Sequence, residues 1–212
     1  MISALNGLHI AVFADAGFEP ALLLTANHAL QREGAITKVM ASRRRPLDPI
    51  AADATVALPA PAEVEVGVGA GAGVDVDITT AEADAKDFDA ALVIGGEHGA
   101  ELDHVKLAAF LTDLRADGKP LGAIFKGVDL CINCGVVDGA RIAANAAQAP
   151  AVRSAGGTPV DDAVVVDGTL VTARGVEDID AFMVAAIEAI RLKFRAGADG
   201  ATDLNAIGTA TS

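Results

Sequence analysis

The stretch from Gly118 to Leu130, GKPLGAIFKGVDL, is where residue types and spacing come closest to chemistry. A short apolar run, Leu121 to Ile124, is followed by a tight turn and the start of a helix. Turns of this kind lie at the carboxyl ends of strands, where open α/β sheets bind ligands. In many hydrolases such a turn carries a nucleophile on a strained elbow. Here the elbow position holds Phe125, whose ring has no nucleophilic atom, with Lys126 and Gly127 behind it. The second candidate is Gly95-Gly96-Glu97-His98-Gly99, directly after the apolar run Phe88 to Ile94. Glycines at the end of a strand let backbone approach a neighbour closely and present its N–H groups. Glu97, His98, Glu101 and His104 follow in a spacing that fits no standard metal site, so they read as surface polar groups.

The cysteines, Cys131 and Cys134, form a C-x-x-C at the end of the helix expected after the elbow. A reactive thiol wants a helix start and thiolate-stabilising neighbours, and zinc wants two further ligands. The pair is therefore expected to be small buried hydrophobes, with a redox role as the alternative.

Elements must hold these residues in place, and the chain supplies them in alternation. A strand is expected over Leu8 to Ala14. A helix follows from Glu19-Pro20, with Pro in the first turn where its missing donor costs nothing and Gly34 as the stop. Further strands are expected at Ile36 to Met40, Val74 to Thr79 and Phe88 to Ile94. A short acidic helical turn is expected from Ala81 to Lys86. Helices are expected over His104 to Arg115, Val128 to Cys134, Ala147 to Ser154 and Asp178 to Phe194. Arg141 to Ala144 reads as a strand. Asp167-Gly168 between β-branched runs is a hairpin signal, giving a small hairpin over 163–172. Strand–helix alternation predicts a mostly parallel sheet between helical layers.

Residues 44–73 differ in character. Three arginines precede Pro46, alternating runs occur at 55–58 and 63–66, and a Gly/Ala segment closes the region. It reads as an inserted loop or β-rich arm of a single domain spanning 1–194, with a loosely held tail over 195–212.

Composition narrows function further. A chain of 212 residues with a net charge of −13 repels nucleic-acid phosphates. Its aromatics are seven Phe with no Trp or Tyr, so the core must be built from Ala, Val, Leu and Ile. No apolar run is long enough to span a bilayer, and the N-terminus lacks a basic segment followed by an apolar core. A soluble cytoplasmic protein is expected, with no membrane partner.

Taken in order, several segments resemble the ThiJ/PfpI family. They are Gly17-Phe18-Glu19, Phe88 to Gly96, Gly118-Lys119-Pro120 with Ala123 to Gly127, Gly135 to Arg141, and Val164 to Gly175. The resemblance runs from about Leu8 to Lys193. It implies a flavodoxin-like three-layer α/β sandwich, no cofactor, and a homo-oligomer, usually a dimer. It also implies that Glu19 is the family glutamate beside the nucleophile and that Gly95 and Gly96 are oxyanion donors. Members with thiol chemistry place Cys, often followed by His, where this chain has Phe125 and Lys126.

On this reading Glu19 and Lys126 are the candidate catalytic groups. Gly95, Gly96, Glu97, Phe125, Gly127 and Arg174 are the candidate ligand contacts, with no metal. The expected function is a thiol-less family member that binds a small molecule or serves as an oligomeric, stress-related scaffold. Two alternatives stay open: a hydrolase or hydratase working through Glu19 and the Gly95–Gly96 cradle, and a protein similar to the accessory domain at the end of large catalases.

Overall fold

The computed structural model describes residues 4–44, 46–47, 74–96 and 104–200. Nearly all of the expected 44–73 arm, including its alternating runs, lies outside the described residues, as do Glu97, His98 and Glu101. At the arm's margins Leu47 and Val74 form an isolated antiparallel bridge.

Nine strands are described: β1 (His9–Ala14), β2 (Ile36–Ala41), β3 (Ile78–Thr79), β4 (Ala90–Gly95), β5 (Leu121–Ile124), β6 (Arg141–Ala143), β7 (Thr158–Val160), β8 (Val164–Asp167) and β9 (Leu170–Ala173). The helices are α1 (Pro20–Arg32), α2 (His104–Ala116), α3 (Lys126–Asn133), α4 (Ala149–Ser154) and α5 (Ile179–Gly200). Seven strands form one sheet in the order β3-β2-β1-β4-β5-β9-β8. Its pairings are parallel except for β8 with β9, the expected hairpin. The fold is the mostly parallel α/β sandwich that the alternation predicts, of the flavodoxin-like kind that the resemblance implies.

Successive strand side chains point to opposite faces, and the buried residues divide accordingly. Ile10, Val12 and Ala14 join Leu22, Leu23, Ala26 and Leu30 of α1 and Phe182, Met183, Ala186 and Ile190 of α5 on one side. Ala11 and Phe13 join Leu107, Phe110, Leu111 and Leu114 of α2 and Val128, Leu130 and Cys131 of α3 on the other. Strands β4 and β5 are therefore buried and free of polar side chains throughout, as a sheet covered on both faces requires. Phe88 meets Phe110 edge to face, ring centres 5.7 Å apart.

Several local expectations change. The strand expected over Val74 to Thr79 is only Ile78–Thr79, because β3 is an edge that pairs with β2 through Met40 and Ala41 alone. The acidic helical turn over 81–86 is instead a short 3-10 turn, Ala85–Asp87, capped by the Asp84 side chain. Helix α5 continues to Gly200 rather than stopping at Phe194. Residues 158–160 were not expected as a strand; they pair in parallel with β6 to make a separate small sheet. That sheet is tied to the main one where the Thr172 hydroxyl accepts the Ala143 amide at 2.9 Å.

Candidate functional site

The turn after β5 has the geometry that its sequence suggests. Phe125 adopts φ 55° and ψ −120°, and among the described residues it is the only non-glycine with positive φ. Such a conformation costs on the order of 1–3 kcal/mol and persists only where its surroundings dictate it. Those surroundings can be named. The Phe125 amide donates to the Ala173 carbonyl at 3.1 Å, and its carbonyl accepts the Val128 amide at 3.1 Å. Helix α3 then presses on β4 through Gly127, where a Cβ would stand 1.9 Å from the Val93 carbonyl oxygen. Strand, strained tip and helix therefore form a nucleophile-type elbow whose tip carries a half-buried phenyl ring packed on the α1–α5 core.

Lys126 is the first residue of α3, and its ammonium lies 5.9 Å from the centre of the Phe125 ring, within cation–π range. Gly95 faces this elbow from the end of β4, with Gly96 next in the chain. Gly95 has φ +84°, and a Cβ there would meet the Gly127 nitrogen at 2.6 Å and the Lys126 carbonyl carbon at 2.7 Å. The β1–β4 register shifts at this point: Phe13 is opposite Val93, but Ala14 is opposite Gly95. The bulge and the positive φ together swing the chain toward the elbow.

Glu19 sits at the N-cap of α1, half-buried, and its side chain makes no capping hydrogen bond. The strands preceding Glu19, Gly96 and Phe125 are β1, β4 and β5, which are neighbours in the sheet. The three residues thus leave the carboxyl edge in adjacent positions, spread over two strand spacings of roughly 4.8 Å each. Arg174 follows β9, beside β5; its guanidinium pairs with Asp161 at 2.5 Å. Glu97 lies outside the described residues. The sheet thus brings Glu19, Gly95, Gly96, Phe125, Lys126, Gly127 and Arg174 to one edge.

Asp15 and Ser42 stand at the same edge and were missed as site residues. The Asp15 amide donates to the Gly95 carbonyl at 3.2 Å, and Ser42 Oγ donates to Asp15 Oδ2 at 2.6 Å. The available signal was positional: each is the first residue after a strand.

The cysteines behave as buried apolar groups. Cys131 is fully buried, and burial pushes its thiol well above the ordinary range. Burial likewise pushes Cys134, the C-cap of α3, up to about 11. Both are unpaired, at the helix end opposite the elbow. Among the described residues no group of three or more His, Cys, Asp or Glu is placed to hold a metal ion. No helix there is long and apolar enough to cross a membrane.

A mostly parallel sheet of this order with a strained elbow after β5 defines a flavodoxin-like α/β protein. The sequence pattern of the DJ-1/PfpI family matches residues 9–189, and the chain belongs to that family. One relative, the deglycase TK1284 of Thermococcus kodakarensis, is 32% identical over 110 residues. That match covers 51% of this chain and 66% of the relative, just under two thirds of its length. Among solved structures, a ThiJ/PfpI domain protein from Brachyspira murdochii superposes with a TM-score of 0.71 at 19% identity, covering 89% of this chain and 98% of that one. Drosophila melanogaster DJ-1beta gives 0.69 at 20% identity, covering 92% and 97%. A two-domain protein from Anabaena variabilis with DJ-1/ThiJ/PfpI-like and ferritin-like parts gives 0.72 at 22% identity, covering 87% of this chain and 50% of that one.

Proposed function

We propose that this chain is a DJ-1/PfpI protein that keeps the family's binding cradle without its thiol chemistry, and binds a small carbonyl- or carboxylate-bearing molecule. It does so as a cytoplasmic homo-oligomer. The observation that carries this reading is Phe125 in the strained elbow conformation. A nucleophilic step needs a lone pair at the elbow tip, and a phenyl ring has none to give. The described cysteines offer no substitute, since burial holds both as neutral thiols and only the thiolate attacks.

The relative named a deglycase makes methylglyoxal the natural probe. Purified protein incubated with methylglyoxal, and separately with a peptide substrate, is expected to consume neither faster than buffer. Turnover well above background that survives blocking of both cysteines would overturn the proposal.

One observation favours a second reading, an acid–base enzyme without a thiol: the Glu19 carboxylate is not engaged in capping α1. Were Glu19 to move protons for a substrate held at Gly95–Gly96, Glu19→Gln would abolish the turnover. Unchanged activity in that variant would remove this alternative.

A further inference from the structure

Asp15 and Ser42 lie outside every residue expected to act at the elbow edge, yet they are wired into it. The Asp15 carboxylate accepts the Ala16 amide through Oδ1 at 2.9 Å and the Ser42 hydroxyl through Oδ2 at 2.6 Å. Both oxygens are thus engaged by donors, so the group is held in one rotamer. The backbone it holds is the support of Gly96: a Cβ at Gly96 would meet the Asp15 carbonyl oxygen at 2.5 Å and the Ala16 carbonyl oxygen at 2.8 Å. The Asp15 amide also donates to Gly95 at 3.2 Å, at the bulge that turns β4 toward the elbow. In the other direction, the Asp15–Ala16 turn leads in four residues to Glu19. Ser42 comes from the end of the next strand, β2, so the link spans β2, β1 and β4.

We infer that Ser42 and Asp15 form a positioning pair that fixes the Gly95–Gly96 amides and Glu19 relative to the elbow. The inference rests on the cradle reading under Proposed function. Neither residue is a catalytic group. The Asp15 carboxyl oxygens accept from the Ala16 amide and the Ser42 hydroxyl, so the two side chains are engaged with each other and with backbone. Their contribution is geometric, because backbone donors stabilise a developing oxyanion only when aimed at it.

The test uses the full chain with Phe125→Cys, which puts a thiol at the elbow, and follows residue 125 by peptide mapping. Two electrophiles are compared at pH 7. Methylglyoxal is attacked at its aldehyde carbon; the C–S bond forms, and the carbonyl oxygen becomes an oxyanion that takes a proton to give a hemithioacetal. Iodoacetamide alkylates the thiolate, the C–S bond forming as iodide leaves, and places no oxyanion in the cradle. Adding Ser42→Ala is expected to slow methylglyoxal addition about tenfold, the scale of a misaligned rather than a lost donor. It should leave alkylation within about twofold, and Ser42→Thr, which keeps the hydroxyl, should restore the addition rate. Equal slowing of both electrophiles, or of neither, would overturn the inference.

If the residue-125 thiol shows no enhanced reactivity at all, the cradle reading fails separately, and a second measurement in the otherwise native chain decides the pair. There Ser42→Ala should shift the Gly95 and Gly96 amide resonances while leaving Gly168, in the distant β8–β9 turn, in place. Unmoved Gly95 and Gly96 resonances would overturn the inference.

Discussion

Gly127 lies against Val93 with no room for a side chain: a Cβ would stand 1.9 Å from the Val93 carbonyl oxygen. This contact, rather than any reaction, explains why the elbow keeps its strain. Helix α3 can rest on β4 only if the chain reverses sharply after Ile124, and Phe125 absorbs that reversal at φ 55°. Because the obstacle is backbone, it cannot turn aside as a side chain would. Gly127→Ala is therefore expected to cost about 3 kcal/mol or more, at the upper end of overpacking effects. Urea unfolding would show it as a lowered midpoint with little change in slope.

A thiol placed at residue 125 enters surroundings quite unlike those of the native cysteines. It would sit at the N-cap of α3, where amide donors and the helix dipole favour a negative charge. Cys134, at the other end, is held up at about 11 by burial. In the Phe125→Cys protein, iodoacetamide is expected to label residue 125 at pH 7, with labelling of Cys134 becoming appreciable only as pH approaches 11. A pH series of peptide-mapped alkylation separates the two, and equal labelling at pH 7 would contradict the assignment.

The buried thiols also make stability depend on alkaline pH. Their folded-state values lie above the ordinary 9.0, because burial disfavours the thiolate. The unfolded chain releases these protons first, so the contribution is fully present below pH 9 and is lost as pH rises from there toward about 11 for Cys134. Cys131→Ala with Cys134→Ala should flatten this fall in stability between pH 9 and pH 11, measured by thermal unfolding against pH.

At the acid end the group to watch is Glu82. Its carboxylate accepts the Thr79 amide at 2.9 Å and the Thr79 hydroxyl at 2.8 Å, and Arg44 adds an ion pair at 2.9 Å. These donors, the Thr79 amide foremost, hold the carboxyl at about 2 against an ordinary 4.5. The depressed value means that the link is intact above pH 4.5 and opens as pH falls toward 2. Protection of the Thr79 amide, its hydrogen exchange relative to the intrinsic rate at each pH, should fall over that interval. Glu82→Ala, which removes the acceptor, should lower that protection already at neutral pH.

Much of this architecture was legible in the sequence because it rests on short-range signals. Pro20 and Gly34 bracket α1, Asp167-Gly168 marks the β8–β9 turn, and the unbroken apolar runs of β4 and β5 announce a sheet covered on both faces. The reversal at Phe125 was readable for the same reason, since an apolar strand meets a helix there without a spacer. What escaped depends on partners distant in sequence. Residues 158–160 become β7 only because β6 lies beside them. Alternation over 74–79 promised more strand than the β2 edge can pair. Ser42 carried no signal of its own beyond its position, because nothing local reveals that its hydroxyl reaches Asp15, 27 residues earlier.

The central claim is that the elbow survives and its nucleophile does not. Methylglyoxal consumption by the chain with Cys131 and Cys134 both replaced by Ala and Phe125 kept tests it most directly. The account predicts a rate indistinguishable from buffer, while the same chain carrying Phe125→Cys forms a mapped adduct at residue 125. Turnover by the cysteine-free chain, or a residue-125 thiol no more reactive than free cysteine, would contradict it.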